Sequence, residues 1–244
     1  MMQYIINRCV FNNNPPSYAE DLHDLEFVGS EDVSQISCRI PIRYYHEHKD
    51  GPTLLMCHGN RSDIGVVDLK TISQTFNANI CVFDYAGYGL HSERDSSEEA
   101  CYRDVLAVYN YLVIHKDLHY NKLFIYGRSS GTAMACYLAH TLCKQGKEPA
   151  GLILVSPLMS VFKIFVNFWL PGDRFENYTR APEITCNIAV LHGNTDTVIP
   201  TNHDPTEKQK LRWFVTLEGC GHENVFTSVY YQTIGDFINA ILLV

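Results

Sequence analysis

The sequence predicts an α/β fold built on a mostly parallel sheet. Three observations carry that expectation. Short runs that are almost wholly apolar recur from Gly51 onward, longer amphipathic stretches separate them, and a glycine-flanked serine directly follows one of the runs. A strand buried on both faces reads as a continuous apolar run, whereas a half-exposed strand alternates. Alternation of such runs with helical stretches is the pattern of parallel strands joined by crossover helices.

Taken in order, the stretch from about Leu25 to Tyr45 reads as extended segments with polar breaks, an antiparallel start to the sheet. Parallel strands are then expected at Thr53 to Cys57, Ile80 to Asp84, Leu123 to Gly127, Gly151 to Ser156, Ile188 to His192 and Arg212 to Leu217. Helices are expected over Asp63 to Phe76, Ser96 to His115, Gly131 to Lys144 and Val225 to Leu243. Residues 158–187, with the apolar stretch MSVFKIFVNFWLPG, read either as a small cap or as an ordinary crossover whose aromatics complete the core. At 244 residues the whole chain reads as one domain.

The balance of charge narrows the function classes. A formal net charge of −8 and a pI near 5.7, with lysines and arginines scattered, give no cationic surface for phosphate backbones. Nucleic acid is not an expected partner. The cysteines number nine, an odd count, and several lie inside apolar runs, as Cys57 in LLMCHG and Cys81 in ANICVFDY. They read as buried thiols, and together with a start that lacks a secretory pattern they point to the cytoplasm, with peripheral membrane association left open. No apolar run reaches the length of a membrane span.

Gly127, Arg128, Ser129, Ser130 and Gly131 spell GxSxG between the strand LFIY and the helical stretch TAMACYLAHTL. A nucleophile on a sharp strand-to-helix turn needs small residues two positions to either side, which accounts for both glycines, and the helix N-terminus favours developing negative charge. Serine at its own pKa needs a base. In chains of this architecture the acid and the histidine follow the serine, each on a loop after a later strand. The strand IAVLH leads to Asp196 in GNTDTVIP, and WFVTL leads to His222 in EGCGHENV. Asp196 also suits an Asx turn before Pro200, and Asp173 in LPGDRF is a rival orienter. His58, Gly59 and Asn60 follow the strand TLLMC, where an oxyanion hole draws one backbone N–H. Asn60 and Ser130 are the expected donors. His58 itself reads as structural.

Other signals carry less. His115 and His119 have the spacing of a zinc pair, but HKDLH lacks the glutamate of HExxH and a third ligand. GRSSGT lacks the lysine of a phosphate loop, and DYAGYG reads as a turn rather than a dinucleotide site. Neither metal nor cofactor is expected.

With HGN, FDYAGYG, GRSSG, HGNTDTVIP and GCGH in this order, the chain resembles the α/β-hydrolase superfamily over about residues 50 to 244. Within it the chain is most similar to the small-lid hydrolase-domain proteins that include protein depalmitoylases, a likeness that the NNPPSY segment shares. The resemblance implies a triad of Ser129, Asp196 and His222, with Asn60 and Ser130 as oxyanion donors. It implies hydrolysis of a carboxylic ester or thioester, on a small-molecule or acyl-chain substrate or an acylated protein. A serine peptidase of the same fold and a noncatalytic binding protein stay open as alternatives. The chain departs from the depalmitoylases in having only Cys9 where they carry an N-terminal cysteine cluster, so anchoring by two lipid signals is not implied.

Overall fold

The computed structural model describes residues 11, 14–30, 38–91, 95–164, 171–206 and 212–243. Cys9 lies outside them. Eight strands form one sheet: β1 (Leu25–Ser30), β2 (Cys38–Tyr45), β3 (Thr53–Cys57), β4 (Asn79–Phe83), β5 (Leu123–Arg128), β6 (Gly151–Val155), β7 (Ile188–Gly193) and β8 (Arg212–Leu217), in the order β1-β2-β4-β3-β5-β6-β7-β8. β2 runs antiparallel to both β1 and β4, and every pairing from β4 through β8 is parallel. The α/β expectation with an antiparallel start therefore describes the observed sheet.

Every residue of β4, β6 and β7 is buried, which is why these runs carry no polar alternation. Period 2 survives in where the side chains point. Leu123 and Ile125 enter one core, Phe124 and Tyr126 the other, and Leu152 and Leu154 alternate likewise with Ile153 and Val155. Helices cover both faces. α1 (Leu69–Phe76) and α5 (Ser228–Leu242) pack on one, while α2 (Glu98–His115) and α3 (Gly131–Lys144) pack on the other; α4 (Asn177–Arg180) is a single turn between β6 and β7.

Local chemistry sets the ends. Ser97 caps α2 by accepting the N–H of Ala100, with Glu98 and Glu99 in the first turn where the dipole favours them. Thr227 caps α5 in the same way, so that helix begins at Ser228 rather than at the expected Val225. The expected helix from Asp63 is divided. A short 3₁₀ turn, Ile64–Val66, precedes α1, and Asp68 caps the restart by accepting the N–H of Thr71. The cause is close packing: a Cβ on Gly65 would come within 2.4 Å of the Ser17 hydroxyl, and Asp63 is committed to the N–H groups of Ser17 and Gly65. α2 ends at His115 and Asp117 takes a left-handed φ of 54°, so His115 and His119 do not share one helix face.

Candidate active site

Ser129 follows the last residue of β5 and has φ 52°, a left-handed conformation that a serine holds only where its surroundings enforce it. Those surroundings are visible. The Ser129 N–H donates to the Val155 carbonyl at 2.9 Å, and the Thr132 hydroxyl donates to the Ser129 carbonyl at 2.6 Å. A Cβ on Gly127 would meet the Gly131 carbonyl and Thr132 Cα at 2.7 Å each, and one on Gly131 would meet the Cys57 carbonyl at 2.2 Å. The two elbow glycines thus let the turn close on itself and lie against the end of β3. Ser130 is the N-cap of α3, placing the helix's N-terminal N–H groups beside the serine.

Two further loops return to this edge of the sheet. Asp196 lies beyond β7 and His222 beyond β8, both buried. The Nε2 of His222 is 2.9 Å from Ser129 Oγ, and its Nδ1 is 2.8 Å from Asp196 Oδ2. The other carboxylate oxygen of Asp196 accepts the N–H groups of Val198 and Ile199, at 2.9 Å each. Turn-forming and histidine-facing roles therefore coexist in one side chain. Burial works to raise the pKa of Asp196. The hydrogen bonds from His222 and from the Ile199 and Val198 amides outweigh it, and the carboxyl is held below its ordinary value.

The two loops are fastened to each other. Thr195 N–H donates to the Cys220 carbonyl at 3.0 Å, the Asn194 side chain accepts the Gly219 N–H at 2.8 Å, and a Cβ on Gly193 would lie 2.2 Å from the Cys220 carbonyl. His192, fully buried beneath them, places Nε2 2.8 Å from the Ile199 carbonyl. The rival Asp173 is occupied elsewhere: its Oδ1 accepts the N–H of Phe162 at 2.8 Å and of Arg174 at 2.7 Å, tying together the segment between β6 and β7.

The loop after β3 is braced from the side by residues whose role the sequence reading reduced to a turn. The Tyr85 hydroxyl donates to the His58 carbonyl and the Tyr88 hydroxyl to Asn60 Oδ1. His58 stacks on Tyr85 with ring centroids 4.2 Å apart, sets Nδ1 2.9 Å from the Gly59 carbonyl, and has Nε2 3.2 Å from Asp84 Oδ1. His58 is thus structural. Arg128 is also engaged, through the loop that bears His222. The repeated tyrosines of FDYAGYG were the available signal for the first brace. Nothing in the sequence marked the second.

Ser129, Ser130, Asn60 and His222 all line one pocket of about 800 Å³. Its apolar lining comes from Leu158, Val161, Phe162, Ile164, Phe175 and Ile199. All but Ile199 belong to the segment between β6 and β7, of which 165–170 lie outside the described residues. Glu98 holds that segment down by accepting the Phe175 N–H at 3.0 Å. The arrangement has a hydroxyl bonded to an imidazole, a carboxylate behind the imidazole, a helix N-terminus beside both, and apolar room for a chain. Among the described residues, no group of three or more His, Cys, Asp or Glu side chains is placed to hold a metal.

Comparison with known proteins agrees with this architecture. A family model described as the alpha/beta hydrolase fold matches residues 88–193. Human alpha/beta hydrolase domain-containing protein 17B is 30% identical over 200 residues, spanning 78% of this chain and 67% of that protein. The chain belongs to the α/β-hydrolase family. Caenorhabditis elegans alpha/beta hydrolase domain-containing protein aho-3 is likewise 30% identical over 204 residues, covering 77% of this α/β-hydrolase but only 57% of the worm protein. Among solved structures, Est1E from Butyrivibrio proteoclasticus with bound ferulic acid superimposes with a TM-score of 0.67 at 14% identity, over 88% of this chain and 99% of that one. At that identity the likeness speaks to the fold.

Proposed function

We propose that this hydrolase cleaves a carboxylic ester or thioester through an acyl-enzyme on Ser129. The observation that carries the reading is the continuous chain from Ser129 Oγ to His222 to Asp196, with links of 2.9 and 2.8 Å. Ser129 Oγ attacks the substrate carbonyl carbon while its proton passes to Nε2 of His222. Asp196 holds the Nδ1–H, so that Nε2 is the free lone pair and the imidazolium that forms is stabilised. The carbonyl oxygen, now an oxyanion, takes the backbone N–H groups of Ser130 and Asn60, interactions whose loss typically costs about 100 to 1000-fold in turnover. Collapse breaks the bond to the alcohol or thiol, which leaves with the proton from His222. Water, deprotonated by the same imidazole, then attacks the acyl-enzyme and releases the acid. No cofactor enters.

The apolar wall sets the substrate class in this reading. An acyl chain laid along Val161, Phe162 and Ile164 buries its methylenes against hydrocarbon, at about 0.8 kcal/mol for each CH₂ removed from water. The acyl donor is a lipid-like ester, a small-molecule thioester or an acylated protein. The test is turnover of p-nitrophenyl esters and S-acyl thioesters of graded chain length, beside aminoacyl p-nitroanilides, with Ser129→Ala as control. Hydrolysis of esters and thioesters that rises with chain length and is lost in Ser129→Ala is expected. Preference for the amides would make the protein a peptidase, and background rates on all three would leave it a binding protein.

A further inference from the structure

We infer that Arg128, the residue before Ser129, is a positioning residue that fastens the His222 loop over the nucleophile. The inference rests on the reading of Ser129 and His222 as nucleophile and base. Its Nη2 donates to the backbone carbonyl of His222 at 2.8 Å and to the Glu223 carboxylate at 2.7 Å. The guanidinium carbon stands 5.4 Å from the ring centroid of Phe226, further along the same loop. On its other side, Nη1 lies 3.3 Å from where a Cβ on Gly59 would be, so the group is wedged between the oxyanion loop and the histidine loop.

Topology explains why such a fastening is needed. His222 is carried by the loop after β8, the outermost strand on that side, whereas Ser129 follows β5, three strands away. The loop must reach back across the sheet edge. The bonds from Asp196 and Thr195 hold it from the β7 side only. Arg128 holds it from the β5 side, and it does so at the main chain of the histidine itself. Its own Cα is fixed, because Arg128 is registered against Val155 in the sheet. Its side chain is 15% exposed, while that of Glu223 is 78% exposed. The enclosed bond to the carbonyl is therefore the one that solvent competes with least, and the ion pair at the rim contributes little. Arginine suits the place because one planar group serves two acceptors and an aromatic face together, which a lysine's point charge cannot do.

A displacement of about 1 Å at a reacting group can cost about 100-fold in rate. Arg128→Ala is accordingly expected to lower kcat by about 10- to 100-fold on the best p-nitrophenyl ester, with KM within about 3-fold of wild type, because the acyl wall is untouched. Methylguanidinium in the assay should restore part of the kcat of Arg128→Ala and none of that of Ser129→Ala. Arg128→Lys should fall between alanine and wild type, and Glu223→Gln should cost no more than about 3-fold, the exposed pair being screened. A wild-type kcat in Arg128→Ala, or a raised KM with kcat retained, overturns the inference; the second result would make Arg128 a substrate contact. Should Arg128→Ala fail to fold by circular dichroism, Arg128→Lys decides alone: lowered kcat at wild-type KM supports the role and wild-type kcat overturns it. The Ser129→Ala control separates the two levels. If it retains activity, the acyl-enzyme reading itself fails; if it is dead while Arg128→Ala is unimpaired, only the positioning role fails.

Discussion

Asp196 meets His222 with one oxygen only. Oδ2 faces Nδ1 of the histidine at 2.8 Å, and Oδ1 is held by the amides of Val198 and Ile199, so the carboxylate cannot rotate without breaking its own turn. Asp196→Asn is expected to keep that turn, since its amide oxygen can accept the same two N–H groups. The amide nitrogen then faces Nδ1 as a donor and forces the imidazole proton onto Nε2, where it cannot receive the proton of Ser129. Turnover should fall about 10⁴-fold with little change in melting temperature. Asp196→Ala should lose activity and also be destabilised by about 1–3 kcal/mol, because the buried Ile199 amide and the part-buried Val198 amide lose their acceptor. Steady-state kinetics with urea denaturation checks both.

The same carboxyl predicts a pH dependence. Its hydrogen bonds outweigh burial and hold its folded pKa below the ordinary value. A depressed folded pKa means stability that is present above the unfolded pKa, about 3.9 for aspartate, and lost as pH falls through the folded value. The stability difference between wild type and Asp196→Asn should move against wild type as pH falls from about 4 toward the folded value. Urea midpoints across this range provide the measurement, and a difference that moves toward wild type on acidification would contradict it.

Gly131→Ala tests how closely the elbow lies against the loop after β3. The added methyl would meet the Cys57 carbonyl at 2.2 Å and the His58 carbonyl at 2.5 Å, both main-chain atoms that cannot swing aside. Hydrolysis should drop by at least about 100-fold, the scale of a lost oxyanion donor, and the melting temperature should fall. Gly146→Ala is the comparison. It has φ 68° with nothing within 4 Å, so about 1 kcal/mol of backbone strain is expected without loss of activity.

Val161→Trp tests the proposed acyl wall. Val161 is buried on the cavity surface, and the larger ring would take up apolar space in the pocket. The ratio of kcat/KM for long-chain to short-chain esters should fall by about tenfold or more, with short-chain turnover retained. An unchanged ratio would place the chain elsewhere.

The fold was legible because strands buried on both faces announce themselves: all of β6 and β7 is apolar or small but for His192, and GxSxG sits between a strand and a helix. Ser129, Asp196 and His222 could be picked out because each follows a parallel strand, which brings chemistry-bearing side chains to one sheet edge whatever their separation in sequence. Contacts made when a loop folds back were not legible. Arg128 carries no such signal because its acceptor lies 94 residues later. The break at Gly65 has the same origin, since it follows from the packing of Ser17 and Tyr18 against the helix start.

The most direct test of the acyl-transfer account is labelling with a fluorophosphonate, followed by intact mass and peptide mapping. A single adduct on the peptide that bears Ser129, absent from Ser129→Ala and formed far more slowly in His222→Ala, is the expected result. Equal labelling of wild type and Ser129→Ala, or an adduct on another serine, would contradict it.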